Sequence, residues 1–327
     1  MEWLSSDRRG FMRLAGAAAL ATAAAPARAA WPDRTIRVVV SSAPGDGVDL
    51  RTREFLASLA PELGNPTMFV DNKPGAGGQI AAQSLLGSPA DGYTLFVANA
   101  GMTIIPSYFR KLPFNPLNDF APVAVGGIAP VGLAVPVSNP AGSLKEWLEW
   151  ARKQPGLNYG SSSNGTVSSL YGFQVNEQFG LKAANIPYKS TSLALLDVAR
   201  GQNDFMMLDI LGLRALTEKG DLKILATTGT ERSKYLPDVP TFKELGHKGF
   251  ERTGWTVYVV RKGTPAPIVQ ALADAINKTN GSAQWERKRE ELWSVWKPLS
   301  ISELEQQFKT ETKEWGALVA RSGVYGN

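Results

Sequence analysis

From Thr35 onward, short apolar runs alternate with loops rich in Gly, Ser and Asn and with segments whose apolar residues recur at helical spacing. Strand, loop and helix in that order is the pattern of βαβ units built on a parallel sheet. Residues 36–40 and 67–70 have the character of buried strands, and 50–63 between them carries apolar residues at helical spacing. Pro74-Gly75-Ala76-Gly77-Gly78 leads into a helical stretch at 80–86, and an Asp91-Gly92 turn into a strand at 93–98. A second block opens near Pro130. There Ser143-Leu144-Lys145-Glu146 forms a capping box ahead of one apolar helical face made by Leu144, Trp147, Leu148 and Ala151. Strands at 157–160, 186–188, 205–208 and 222–227 continue the pattern, with a polar loop at 161–166 and a helix at 168–179 after the first. A last strand at 255–260 precedes helical segments at 265–279, 283–293 and 300–320. With no strands between them, these pack most economically back on the first block.

This order predicts an α/β protein of two lobes, each a mainly parallel sheet flanked by helices. Lobe 1 comprises 30–130 plus 254–327 and lobe 2 comprises 131–253, with crossings near 123–135 and 253–260. A cleft between the lobes follows. In α/β proteins, ligands bind at domain interfaces and at the carboxyl ends of strands.

Before Thr35 the pattern differs. Asp7-Arg8-Arg9-Gly10-Phe11-Met12-Arg13 precedes a mild apolar stretch at 14–25 and then Pro26-Ala27-Arg28-Ala29. Charged region, short apolar region and A-x-A site are the parts of a signal peptide, and the Arg pair makes it of twin-arginine type. The apolar run is shorter than the ~20 residues a spanning helix needs. Residues 1–29 are therefore expected to be removed near Ala29 on export to the periplasm.

Composition narrows the chemistry. The chain has no cysteine, which excludes disulfides, thiolate metal sites and Cys nucleophiles, and its single histidine, His247, sits in a glycine-flanked loop expected to be exposed surface. The net charge is +5, and two of those charges come from Arg8, Arg9, Arg13 and Arg28 set against Glu2 and Asp7. What remains is weakly basic with no Lys/Arg run, so a nucleic-acid partner is not expected. Gly45-x-Gly47 and Gly75-x-Gly77 do not complete a dinucleotide fingerprint, and no P-loop or G-x-S-x-G elbow is present. Ser294-Val295-Trp296-Lys297 matches S-x-x-K without its companion motifs and is read as a chance match on an amphipathic C-terminal helix. Trp147, Trp150, Trp285, Trp293, Trp296 and Trp315 lie in helical stretches where core packing is the default, and Trp255 is given a structural role. No enzyme activity, cofactor or metal is expected.

Several words then stand out in order. They are Ala43-Pro44-Gly45-x-Gly47-x-Asp49, Asn72-x-Pro74-Gly75-Ala76-Gly77-Gly78, Pro89-x-Asp91-Gly92-Tyr93-Thr94-Leu95, Asp119-Phe120-Ala121-Pro122-Val123, Pro187-Tyr188-Lys189, Leu236-Pro237-Asp238-Val239-Pro240-Thr241 and Gly263-Thr264-Pro265. Together they resemble the tripartite tricarboxylate transporter receptor family, also called the Bug family of periplasmic binding proteins, from about Trp31 to the C-terminus. The resemblance implies a two-lobed, type II-like periplasmic binding fold that hands a small organic acid to the permease subunits of a tripartite transporter, acting as a monomer. It implies a pocket made by the first loop (Ala43, Pro44, Gly45, Asp46, Asp49), the glycine turn (Gly75, Ala76, Gly77, Gly78) and the stretch with Asn99 and Gly101. From the second block it adds Ser161, Ser162, Asn164, Gly165 and Thr166, then Lys189, Ser190 and Thr191, and finally Asp209. Apart from the resemblance, the aromatic residues Tyr108 and Tyr188 are read as pocket walls. Each loop follows a strand and opens a helix, so free backbone N–H groups converge on the cleft.

Two positions depart from the family pattern. Asp46 stands where the family has Gly; facing the cleft it would repel a carboxylate or select an ammonium or hydroxyl, and facing out it is a turn residue. Ser169 stands where the family more often has His, which removes a bulky donor. A twin-arginine-exported enzyme and a sensory receptor for a membrane kinase are the alternative readings.

Overall fold

The computed structural model describes residues 31–45 and 47–326. The expected leader at 1–29 and Asp46 lie outside the described residues, apart from which Arg34–Asn327 form one compact unit.

Two five-stranded sheets organise that unit. The first contains β1 (Ile36–Val40), β2 (Met68–Asn72), β3 (Thr94–Asn99), β4 (Phe120–Ala129) and, from far along the chain, β10 (Gly254–Arg261), in the order β2-β1-β3-β10-β4. The second contains β5 (Val131–Pro136), β6 (Asn158–Ser161), β7 (Ala184–Pro187), β8 (Phe205–Asp209) and β9 (Leu222–Thr227), in the order β7-β6-β8-β5-β9. Only β10 in the first sheet and β5 in the second run against their neighbours. Each sheet is therefore mixed, with one antiparallel strand in an otherwise parallel set. Val38, Val39 and Val40 in β1 are all buried, as a strand covered by helices on both faces requires.

The helices are α1 (Gly47–Leu59), α2 (Gln79–Leu86), α3 (Gly101–Tyr108), α4 (Pro116–Asp119), α5 (Leu144–Ala151), α6 (Val167–Phe179), α7 (Thr191–Ala199), α8 (Ile210–Lys219), α9 (Ala266–Asn280), α10 (Ala283–Glu291) and α11 (Ile301–Ser322). Among the described residues no helix is long and apolar enough to cross a membrane. At the start of α5, Ser143 accepts from the Glu146 N–H at 3.2 Å, but the Glu146 carboxylate accepts from Gly142 N rather than from Ser143. The cap is real, with its return arm reaching one residue further back.

The terminal helices do not pack on the first sheet alone. Leu304 and Phe308 of α11 lie in the first core with Phe96, Phe120 and Val257, whereas Trp315, Leu318 and Val319 of the same helix lie in the second with Leu133, Trp147 and Phe205. Ile104 of α3 joins them there. Burying side chains of this size stabilises by roughly 1.5–3 kcal/mol each, so α11 is held by both cores at once. The S-x-x-K match is also placed differently from expectation. Ser294 lies beyond α10 in an extended segment that bridges to β4, where Val295 and Ile128 exchange backbone bonds, and the Ser294 hydroxyl donates to the Ile128 carbonyl at 3.3 Å. Helix α10 ends early because Trp293 takes a left-handed conformation, φ 46°.

Trp255 has the structural role expected of it. It stacks on Phe308 and its indole N–H donates to the buried Glu311 carboxylate at 2.7 Å. Burial pushes the Glu311 carboxyl above its ordinary value, against the bonds from Gln307 and Trp255. The folded chain thus holds this proton more tightly than the unfolded chain, and the contribution of Glu311 to stability falls as pH rises from 4.5 through the raised native value. Glu311→Gln keeps an acceptor for Trp255 and removes that fall. Urea denaturation at about pH 4 and about pH 7 should show the variant gaining on the wild type at the higher pH; an equal difference at both would contradict it.

Candidate functional site

The register of the strands brings the loops of the two sheets to facing edges. In the first sheet Val40 pairs with Asn72, Asn99 with Thr256 and Ala129 with Gly254, so the carboxyl ends of β1 to β4 share one edge. In the second, Ser161 pairs with Pro187, Val131 with Asp209 and Gly132 with Thr227. Pro130 alone separates the end of β4 from the start of β5, and its carbonyl accepts from Ile210 N at 3.0 Å. A Cβ on Gly254 would lie 3.9 Å from the Cβ of Asp209. The two carboxyl edges therefore meet at this crossing.

On the first edge, three loops converge. Gly75, Gly77 and Gly78 have φ of 118°, 62° and 100°, a run of left-handed backbone that residues with side chains rarely adopt. Gly78 packs on Ser41, where a Cβ would be 3.6 Å from the serine Cβ. Gly101 approaches the same turn, since its Cβ would lie 3.3 Å from the Gly77 carbonyl oxygen. The amide of Gly101 donates to Asn99 Oδ1 at 2.9 Å. The N-cap residues of α2 and α3 make no side-chain cap, so apart from the Gly101 and Thr103 amides, held by Asn99 Oδ1 and the Ala100 carbonyl, first-turn N–H groups and the positive ends of both dipoles lie at this edge. Ala43, Pro44 and Gly45 are exposed beside them.

Asp49 is spent otherwise. Its buried carboxylate accepts from Gly45 N at 2.9 Å and from Asn72 Nδ2 at 2.9 Å, and it pairs with Arg53 at 2.9 Å. Burial alone would raise this carboxyl, but Arg53, Gly45 and Asn72 outweigh it and hold the group below its ordinary value. Asn72 also donates to the Ser42 carbonyl at 3.0 Å. Asp49 thus fastens the first loop to the end of β2.

On the second edge, hydroxyls gather at the start of α6. Ser168 Oγ lies 3.1 Å from Ser162 Oγ and 3.0 Å from Thr166 Oγ1, and it accepts from Ser162 N at 3.1 Å. The Ser161 hydroxyl beneath them is fully enclosed and unpaired. Ser169 closes a capping box with Thr166, accepting from Thr166 N at 3.1 Å, which gives a local use to the hydroxyl standing at the departing position. Asn164 is tied down by Asn185 at 2.8 Å. Gly165, at φ 69°, lies against the ring of Tyr108. Lys189 is exposed and forms no ion pair among the described residues, while Ser190 starts α7 without a side-chain cap and Thr191 is half-buried behind it. Asp209 caps α8 by accepting from Gly212 N at 2.9 Å.

Residues 52–324 match the model of the tripartite tricarboxylate transporter family receptor. The chain belongs to this family. It is 34% identical over 280 residues to a UPF0065 protein in the gbd 5' region of Cupriavidus necator, covering 83% of this chain and 84% of that one. Among solved structures it is similar to Rpa4515 of R. palustris, whose structure contains adipate, with TM-score 0.83 and 28% identity over 90% of this chain and 99% of that one. It is also similar to MatC of Rhodopseudomonas palustris with bound malate, with TM-score 0.79 and 29% identity over 88% of this chain and 100% of that one. The molecule is a two-lobed solute-binding receptor and not an enzyme.

Two further side chains of the receptor that the sequence reading named have local partners. Tyr188, expected as a pocket wall, spends its hydroxyl on Asp197 and Asn203, each at 2.8 Å. His247 is half-buried edge-on against Phe179 rather than exposed, and burial lowers its pKa. Ser41, Ser42 and Ser168 belong to the facing edges and were not singled out from sequence; the available signal was that Ser41 and Ser42 directly follow a strand. Asp49→Ala should cost about 1–3 kcal/mol of stability, because it leaves the Gly45 N–H and one Asn72 amide N–H without their acceptor and removes the charge partner of Arg53. The Asp49 contribution is present above pH 3.8 and lost as pH falls through its lowered native value. Denaturation of the variant with an unchanged midpoint at neutral pH would refute the anchoring role.

Proposed function

We propose that this receptor captures a small carboxylate between the two sheets, in the periplasm, and passes it as a monomer to the permease subunits of a tripartite transporter. The observation that carries the proposal is the set of uncapped starts of α2, α3 and α7 at the facing edges, beside the hydroxyls of Ser162, Thr166 and Ser168. Backbone N–H groups and helix dipoles bind an anion without a paired cation. Arg53 and Lys73 beside the first loops are bound to Asp49 and Asp71, and Lys189 beside the second is exposed and forms no ion pair among the described residues.

In this reading the ligand loops are those of Ala43 to Gly45, Gly75 to Gly78, Asn99 to Gly101, Ser161 to Thr166 and Lys189 to Thr191. Asp49 and Asp209 act behind them as anchor and cap. Residues 30–130 plus 254–327 close on 131–253 about the crossings at Pro130 and before Gly254, and the closed form docks on the permease. Residues 1–29 direct export and are removed near Ala29. Adipate and malate, found with the solved relatives, are the first acids to try.

A thermal-shift screen of residues 30–327 against mono- and dicarboxylates, with the corresponding amides as neutral controls, tests the reading. At ~100 times its dissociation constant a true ligand adds roughly 2.7 kcal/mol, visible as a raised melting temperature that the amide does not produce. No shift from any acid, with no acid found by mass spectrometry of the denatured protein, would overturn it. Gly101→Ala should weaken binding of the acid so identified by about tenfold, or 1.4 kcal/mol, since the new methyl presses on Asn99 Oδ1 and the Gly77 carbonyl; unchanged affinity in calorimetry would remove that loop from the site.

A further inference from the structure

Tyr108 is the last residue of α3, whose first residue is Gly101 in the loop cluster of the first sheet. At 1.5 Å rise per residue this helix spans about 11 Å. Its far end touches the second edge. A Cβ on Gly165 would lie 2.5 Å from three carbons of the Tyr108 ring, so the ring rests directly on bare glycine backbone. Gly165 is thus required twice, by its φ of 69° and by the ring above it.

The ring is held firmly from behind. Phe109 meets it edge-on at 4.9 Å, and a Cβ on Gly326 would come within 2.7 Å of it. The Tyr108 carbonyl accepts from Gly326 N at 2.9 Å. One residue back, α3 is pressed against α11, where a Cβ on Gly316 would lie 2.6 Å from Ser107 Oγ. Val167, the first residue of α6 and neighbour of the hydroxyl cluster, packs against both cores. The turn at 161–166 has no comparable apolar support of its own: Ser163 and Asn164 are exposed and its other contacts are hydroxyl and amide bonds.

We infer that Tyr108, a residue of the first lobe, is the positioning residue of the second lobe's hydroxyl loop, so that Ser162, Thr166 and Ser168 take their places only while α3 lies against Gly165. A single eight-residue helix then carries a ligand loop of one lobe at its start and braces the ligand loop of the other at its end. The inference rests on the receptor reading for what these loops bind. Its test needs no ligand.

Hydrogen exchange by mass spectrometry on residues 30–327 provides it. Tyr108→Ala should speed exchange of the amides at 161–169 by at least about tenfold, with exchange in β5, β8 and the turn at 75–78 unchanged, and Tyr108→Phe should restore the wild-type rates. Tyr108→Leu, which keeps most of the apolar volume without the flat ring, covers the case in which the alanine variant does not fold, and should again loosen 161–169 selectively. Unchanged exchange at 161–169, or a rise spread evenly over the whole second lobe, would overturn the inference, as would failure of phenylalanine to restore the rates. Because no acid is added, a negative carboxylate screen leaves this result standing on its own.

Discussion

Everything in this fold follows from the passage of the chain between sheets through one residue. β4 ends at Ala129 and β5 begins at Val131, so Pro130 must lie where the two sheets touch. Proline has no N–H to leave unpaired at such a point, and its carbonyl is taken by Ile210. Because β4 runs with β1 to β3, and β5 runs against β8 and β9, this short passage puts the carboxyl ends of both parallel sets on the same side. Strand ends, helix starts and their loops therefore confront one another across the junction.

The chemistry at the junction is made mostly of backbone. The well-placed carboxylates there, Asp49 and Asp209, hold a loop and cap a helix, and Arg53 is consumed by the first of them. What is left for a solute is helix N–H groups and hydroxyls, which hydrogen-bond an anion while paying less desolvation than a buried cation would. Hydroxyls can donate or accept as the ligand requires. At the start of α6, Ser169 turns inward and closes a capping box with Thr166.

The lobes are not independent bodies joined by strings. Helix α11 contributes to both cores, and on the opposite flank Tyr235 donates to the Ser294 carbonyl at 2.9 Å while Arg214 lies over the Trp293 ring at 5.8 Å.

Much of this architecture was legible from the chain alone. Short apolar runs identified β1, β3, β9 and β10, the capping signal at Ser143 identified α5, and the glycine turn before α2 declared a loop needing left-handed backbone. These features are local, so composition and spacing determine them. Helix α3 was not legible. Its sequence, Gly101 to Tyr108, has two isoleucines, a threonine and an internal proline, all weak helix formers, and four consecutive buried residues erase any amphipathic period. It is helical because two cores enclose it. Helices α7 and α8 escaped for a related reason, their apolar residues being spread around the helix. The ordered words along the chain pointed to the family. Only the tertiary structure decided that Asp49 meets Asn72 at the end of β2, that Tyr188 spends its hydroxyl on Asp197 and Asn203, and that Tyr108 reaches Gly165. Those outcomes depend on partners distant in sequence, and no local pattern encodes which of them a side chain will meet.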